Sequence, residues 1–248
     1  LRAAQKDLRA IENPTAWLTT IVSRLCLDTL AARRRRNAEP WQEESAFAVT
    51  AVTAEDQRLV AESVGLALLV VLERLSPLER VAFVLHDAFA LPFEEIARVI
   101  DRSVVATKKL ASRARQRVYG APVSERVARD RAVVEEFLAA ARSGDVEALV
   151  AVLAPDVVRR ADSVARGEGM PAELRGADAV AEEIAANQAR ATFARVVLVD
   201  GGVGAVVAPF GKLRFVLRFT LAGERIRIFE VLGTKEALES LDLRLLPP

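Results

Sequence analysis

Between Arg98 and Arg117 the chain carries seven cations, at positions 98, 102, 108, 109, 113, 115 and 117, against a single acid, Asp101. Guanidinium and ammonium groups at this density bind phosphates, and a suitably placed helix lets them reach guanine edges as well. A second cluster, Arg33 to Arg36, offers the same phosphate chemistry far away in the chain. Net charge is only +1 over 248 residues, which argues against a general nucleic-acid-coating surface. Two basic spots in a nearly neutral chain point instead to two localised phosphate contacts. An exposed cationic helix is ordinarily just solvated, so the elements around each cluster must decide.

Other chemistries are thinly provided for. A single His, His86, and a single Cys, Cys26, exclude a disulfide framework and a zinc site of the usual Cys/His kind, so neither metal nor cofactor is expected. His86 follows an apolar run and reads as structural, and Cys26 reads as a buried thiol. Residues 124–248 contain no His and no Tyr. Asp156, Asp162 and Glu168 are acidic candidates for general acid–base work, but they border a charged stretch where acids are usually solvated. The longest apolar run, Leu66 to Leu72, is far too short to span a bilayer. The opening Leu-Arg shows no signal-peptide pattern, and a cytoplasmic location is expected.

Several elements must position the cations. Asn13-Pro14 marks a turn before a helix over about 15–36, whose Trp17, Leu18, Ile21, Val22, Leu25 and Leu30 recur at helical spacing. Trp17 belongs to that apolar stripe, and the four arginines sit at the helix end that favours cations. Residues 39–57 read as a linker containing Trp41, to which no role is assigned. A helix over 58–75 follows, then one opened by Ser76, Pro77 and Glu79 with cap, first-turn proline and capping-box signals. Leu91-Pro92 ends it, and two helices follow, over 93–100 and 104–119.

Those last two make a helix-turn-helix. Ala97 allows close crossing, while Ile96, Ile100 and Leu110 fill the space between the helices. Asp101 occupies a turn position that is left-handed in such motifs and commonly Gly. Ser103 is placed to cap the second helix, whose Leu110, Ala114 and Val118 form an inner stripe. Lys108, Lys109, Ser112 and Arg113 then share the outer face, with Arg102 and Ser103 near its capped end. After Gly120-Ala121-Pro122 the character changes. Two helices parted at Ser143-Gly144-Asp145 and a third around 176–190 precede four alternating segments with hairpin signals at Gly201-Gly202 and Ala222-Gly223-Glu224. Helices followed by an antiparallel sheet describe an α+β domain.

"LSPLERVAFVLHDAFALPFEEIARVIDRSVVATKKLASRARQRV" resembles region 4 of bacterial sigma factors of the extracytoplasmic-function (ECF) group. "NPTAWLTTIVSRLCLDTLAARRRR" resembles the second half of region 2 of the same family, and the order and linker match as well. The C-terminal half resembles the SnoaL-like, NTF2-type domain carried by the SigI/SigJ subgroup of these factors. The resulting architecture is multidomain. An all-α partial region 2 (1–38), a linker (39–57) and an all-α region 4 (58–120) precede an α+β SnoaL-like cone (127–248). The first half of region 2 is expected to lie outside this sequence.

The resemblance implies a factor that binds core RNA polymerase and directs it to promoter DNA. It puts −35 contacts on Lys108, Lys109, Ser112 and Arg113, with Arg102 and Ser103 near phosphates. It puts −10 contacts on Asn13, Arg24 and Asp28, with the backbone held by Arg33, Arg34 and the arginines that follow. Asp101 departs from the family's usual Gly. NTF2-type domains enclose a pocket, so a small apolar ligand is a possible further partner, with Phe210, Phe215, Phe219 and Phe229 as candidate lining. Plain core packing is the alternative for these rings. For the whole chain, the alternative is a one-component DNA-binding regulator with a ligand-sensing domain and no polymerase partnership.

Overall fold

A computed structural model of the chain describes residues 63–120, 124–166 and 169–246. The expected helix over 15–36, the linker, and the candidates Asn13, Arg24, Asp28, Arg33, Arg34 and Glu168 lie outside the described residues. In chain order the helices are α1 (Ser63–Glu73), α2 (Pro77–Phe83), α3 (Phe93–Ile100), α4 (Val104–Tyr119), α5 (Glu125–Ser143), α6 (Val146–Val152), α7 (Ala177–Ala186), α8 (Gln188–Ala191) and α9 (Lys235–Ser240). The strands are β1 (Leu153–Ala161), β2 (Glu173–Arg175), β3 (Ala194–Val199), β4 (Gly202–Val207), β5 (Phe215–Ala222), β6 (Arg225–Leu232) and β7 (Leu243–Arg244). Two compact units result: Leu75–Arg117 forms one, and Val118 onward forms the other together with the segment ending at Arg74.

In the first unit, Ser76 caps α2 with a reciprocal capping box. Its Oγ accepts from the Glu79 N–H, and Glu79 Oε2 accepts from the Ser76 N–H at 3.1 Å. Pro77 fits the first turn, where its missing N–H costs nothing. The expected single helix from Ser76 to the Leu91-Pro92 break differs in one respect: after Phe83 it widens into a π-helical turn, Val84–Ala88. His86 sits in that turn. Its Nδ1 lies 3.0 Å from the Leu91 carbonyl, and its ring stacks on Phe93 at 4.0 Å between centroids. Packing against Phe93 and the chain reversal at Leu91 thus give the histidine a structural place. Val81, Ala82, Leu85, Ile96, Val99, Ile100 and Ala111 form the core, with Leu110 packed against it.

The second unit is a seven-stranded sheet in the order β2-β1-β6-β5-β4-β3-β7. All pairings are antiparallel except β1 with β6. Gly144 ends α5 at φ 70°, and Asp145 caps α6 by accepting from the Ala148 N–H. Asp200 and Gly201, both at positive φ, turn β3 into β4. Helices α5, α6 and α7 cover the core, which includes Phe137, Leu149, Leu153, Val180, Phe193 and Ile226. The result is an α+β unit, with helices packed on one largely antiparallel sheet, as the C-terminal pattern leads one to expect.

One element departs from the sequence reading. Residues 153–161 form strand β1 rather than the end of a helical stretch. The helix stops at Val152, Pro155 three residues later removes a helical N–H, and the β-branched Val158 pairs with Ile228 of β6 after a register shift. Helix α1 packs on β3 and the 3-10 turn Pro209–Gly211. Arg74 anchors its end by donating to the Leu241 carbonyl at 2.5 Å and the Leu238 carbonyl at 2.6 Å, beside the C-terminus of α9. Strand β3 receives both α1 and α5, which explains why nearly every residue of β3 is buried instead of every other one.

Candidate functional site

The helix-turn-helix is built from backbone geometry outward. Asp101 ends α3 in the left-handed region, at φ 54° and ψ 57°, and both its N–H and that of Arg102 donate to the Ala97 carbonyl. This turn needs a positive φ, and Asp is among the few side chains that accept it readily. Ser103 then caps α4: its Oγ accepts from the Ala106 N–H at 3.2 Å, and its carbonyl accepts from the Thr107 N–H and hydroxyl. Thr107, Ala111 and Ala114 are sealed from solvent and set the roll of the helix. Lys108, Lys109, Ser112 and Arg113 are thereby exposed, as are Arg102 and Ser103 at the capped end. Lys108 Nζ lies 5.7 Å from the centroid of Phe93, within cation–π range, so its stem is steadied while its charge stays in water.

Two ion pairs brace this helix against the rest of its unit. Arg115 donates to Asp87 at 2.6 Å, and Arg117 donates at 2.7 Å to Glu79, whose residue is only 5% exposed. Arg115 and Arg117 are therefore engaged within the unit, leaving Lys108, Lys109 and Arg113 without an ion-pair partner among the described residues. The sequence reading missed Val105, which is 65% exposed on the same helix, one turn before Lys109. An exposed β-branched residue four positions ahead of a lysine was the available signal.

The second unit encloses a cavity of about 340 Å³. Phe215 and Phe229 line it, Phe219 packs behind them against Phe137 and Phe229, and Phe210 lies in the 3-10 turn Pro209–Gly211. Phe137, Arg159, Arg166, Glu183 and Arg190 line it too, and the sequence reading named none of them. They come from different elements, so no local pattern marks them. Arg159, 2% exposed, donates from Nε and Nη2 to the two oxygens of Glu183 and from Nη1 to the Pro171 carbonyl at 2.9 Å.

Of the acidic candidates, Asp156 pairs with Arg227 at 3.5 Å on the surface. Asp162 works structurally. Its Oδ1 accepts from the N–H groups of Val164 and Ala165, and its Oδ2 from those of Gly233 and Thr234. Burial alone would push its carboxyl up, but these donors together hold it below the ordinary aspartate range. Among the described residues no group of three or more His, Cys, Asp or Glu stands together as a metal site, and no helix is long and apolar enough to cross a membrane.

Residues 65–118 match the family model for sigma-70 region 4. The chain is 43% identical over 179 residues to the ECF RNA polymerase sigma factor SigJ of Mycobacterium tuberculosis, a match covering 68% of this chain and 57% of that protein. It is 36% identical over 170 residues to the probable ECF RNA polymerase sigma factor SigI of the same species, covering 66% of this chain and 57% of that protein. The matches thus span somewhat more than half the length of these curated relatives. The crystal structure of SigJ is 31% identical over 96% of this chain and 86% of that chain, with a TM-score of 0.37. The chain belongs to the family of ECF RNA polymerase sigma factors, in the group of SigJ and SigI.

Proposed function

We propose that this chain works as an initiation factor: it binds core RNA polymerase and directs it to promoters with matched −35 and −10 elements. The observation that carries the reading is the capped α4 helix, which holds Lys108, Lys109, Ser112 and Arg113 on one exposed face of a helix-turn-helix. In this reading α4 enters the major groove at the −35 element, its cations reach guanine edges and phosphates, and Arg102 and Ser103 lie against the backbone. Asn13, Arg24 and Asp28 hold unpaired bases of the −10 element, and Arg33 and Arg34 hold its backbone. The polymerase supplies the chemistry, and partnership with it places the protein in the cytoplasm.

The C-terminal unit is a regulatory module in this reading, with a cavity for a small, largely apolar ligand. A binding role suits the cavity better than catalysis because both oxygens of Glu183 are committed to Arg159. A bound ligand changes initiation only if it favours one arrangement of the chain over another.

The test is run-off transcription with purified core polymerase, using the full natural reading frame with and without residues 124–248. The template is a promoter selected from bound genomic fragments. Transcripts that depend on the added protein support the reading, and the deletion reports whether the C-terminal unit activates or restrains. DNA binding without initiation would make the chain a one-component regulator instead.

A further inference from the structure

We propose that Val105 reads a thymine methyl in the −35 element, beside the base pairs met by Lys109 and Arg113. The inference rests on the reading of α4 as the helix that enters the major groove, and it adds a specificity-determining residue which that reading does not require. Val105 is 65% exposed and is the only apolar residue among the exposed positions of α4. Those positions begin at Val105 and continue through Lys108, Lys109, Ser112 and Arg113 at three- and four-residue steps. The valine therefore heads the same face that the cations occupy.

A single exposed apolar side chain is ordinary on a protein surface and by itself signifies nothing. This one is set apart by its surroundings. A β-branched side chain is a poor choice for an exposed helix position, because it loses χ1 freedom against the preceding turn. The inner face of α4 is already filled by Ala111, Ala114 and Val118, all buried, so packing does not ask for a valine at 105. The first turn also has no other side chain to offer a base. Val104 and Ala106 are half-buried, and Ser103 Oγ is taken by the cap. The Thr107 hydroxyl is sealed from solvent and donates to the Ser103 carbonyl. Arg102 turns back to donate to the Asp101 carbonyl at 2.7 Å.

In a helix-turn-helix the first residues of the second helix are the ones that reach base edges. Thymine presents the one methyl group among the four base edges of the major groove, and small apolar side chains recognise it. Lys109 follows Val105 by one turn, about 6 Å along the helix axis, or roughly two base-pair steps. That spacing lets an apolar contact and a cation–guanine contact fall on nearby base pairs of one element.

The test is promoter binding by holoenzyme, assembled from purified core polymerase and the full natural reading frame, on the promoter selected from bound genomic fragments. Each thymine of the −35 element is replaced in turn by deoxyuridine, which removes the 5-methyl and leaves every hydrogen-bonding group in place. The expected result, read by band-shift titration, is one thymine whose replacement weakens wild-type binding by about three- to five-fold, the worth of one buried methyl. Val105→Ala is expected to weaken binding to the unmodified promoter by a similar factor and to be indifferent, within about two-fold, to that replacement. Val105→Thr, which keeps a γ-methyl, retains the sensitivity. The side chain is exposed, so thermal melting of both variants is expected to match the wild type. A −35 element in which no thymine methyl matters to the wild type overturns the proposal without any variant. So does a methyl dependence that Val105→Ala leaves intact. Promoter binding without methyl dependence sinks this assignment and leaves the initiation reading standing, whereas absence of promoter-directed binding sinks the initiation reading and this one with it.

Discussion

In the helix-turn-helix, Lys108, Lys109 and Arg113 stand in water without an ion-pair partner among the described residues, whereas in the sheet unit Arg159 and Arg195 are almost sealed from solvent. The buried cations are answered from inside the protein. Arg159 has Glu183 and the Pro171 carbonyl, and Arg195 donates to the Thr192 and Ala194 carbonyls; the more exposed Arg142 likewise donates to those of Ala191 and Ala194. Burial nonetheless holds the Arg142 and Arg195 guanidiniums below their usual range, and for Arg195 the nearby charge of Arg142 adds to the effect. The lesson is that a cation's role follows from how many acceptors the fold brings to it. Where acceptors converge, the cation is part of the architecture. Where a helix face offers none, it stays in water, open to whatever anion binds there.

The sharpest way to break that contrast is to remove a cation from each side. Arg159→Ala strands the Glu183 carboxylate in a largely buried site and is expected to cost about 3–5 kcal/mol of stability, read by urea unfolding. A loss under about 1 kcal/mol would mean that Arg159 is not structural at all. Lys109→Ala or Arg113→Ala is expected to leave unfolding unchanged within about 0.5 kcal/mol. Either change should instead weaken −35 binding by about 1–3 kcal/mol if the contact is to a base edge, measured by band shift with the polymerase complex. Loss of stability with unchanged DNA binding would reverse the assignment.

Smaller effects sharpen the comparison. Glu79 bridges the two behaviours, since it closes a capping box from within and pairs with Arg117 near the surface. Glu79→Ala is expected to lower stability by about 1–2 kcal/mol, visible as an earlier thermal transition, with the exposed face of α4 unaltered. Asp162 tests anchoring in the sheet unit by pH. Its folded carboxyl lies below the unfolded value of about 3.9, so its contribution is present at neutral pH. That contribution is lost as pH falls below about 4 and through the folded value. The wild type is therefore expected to exceed Asp162→Asn in melting temperature at pH 7, and the gap to close toward pH 3. Smallest of all, Asp101→Gly relaxes a left-handed residue and should change stability by less than about 1 kcal/mol, without altering which side chains α4 exposes.

Much of the helix-turn-helix was legible because its determinants are local. Ser76, Pro77 and Glu79 announce a helix start, Asp101 and Ser103 announce the turn and the next cap, and each acts within four residues of itself. The outer face of α4 follows from helical periodicity once Ala111 and Ala114 are placed inside. Strand β1 was not legible in this way. Its Arg159-Arg160 pair looks solvent-facing in a list of residue types, and only Glu183, 24 positions away, makes burial of Arg159 tolerable. The cavity was half legible for the same reason. Phe215 and Phe229 stand in recognisable strands, while Phe137, Arg166 and Arg190 reach the space from a helix, a loop and a helix end.

By itself, then, the amino-acid sequence determined the elements whose signals are short-range: the caps, the turn, the hairpins, and the charge pattern that separates α4 from an ordinary surface helix. Tertiary structure alone decided which cations are buried, that α1 packs on β3, and that a cavity forms among residues far apart in the chain. The physical reason is range. Capping and periodicity act between neighbours in the chain, whereas desolvation and ion pairing depend on groups that only folding brings within a few ångströms.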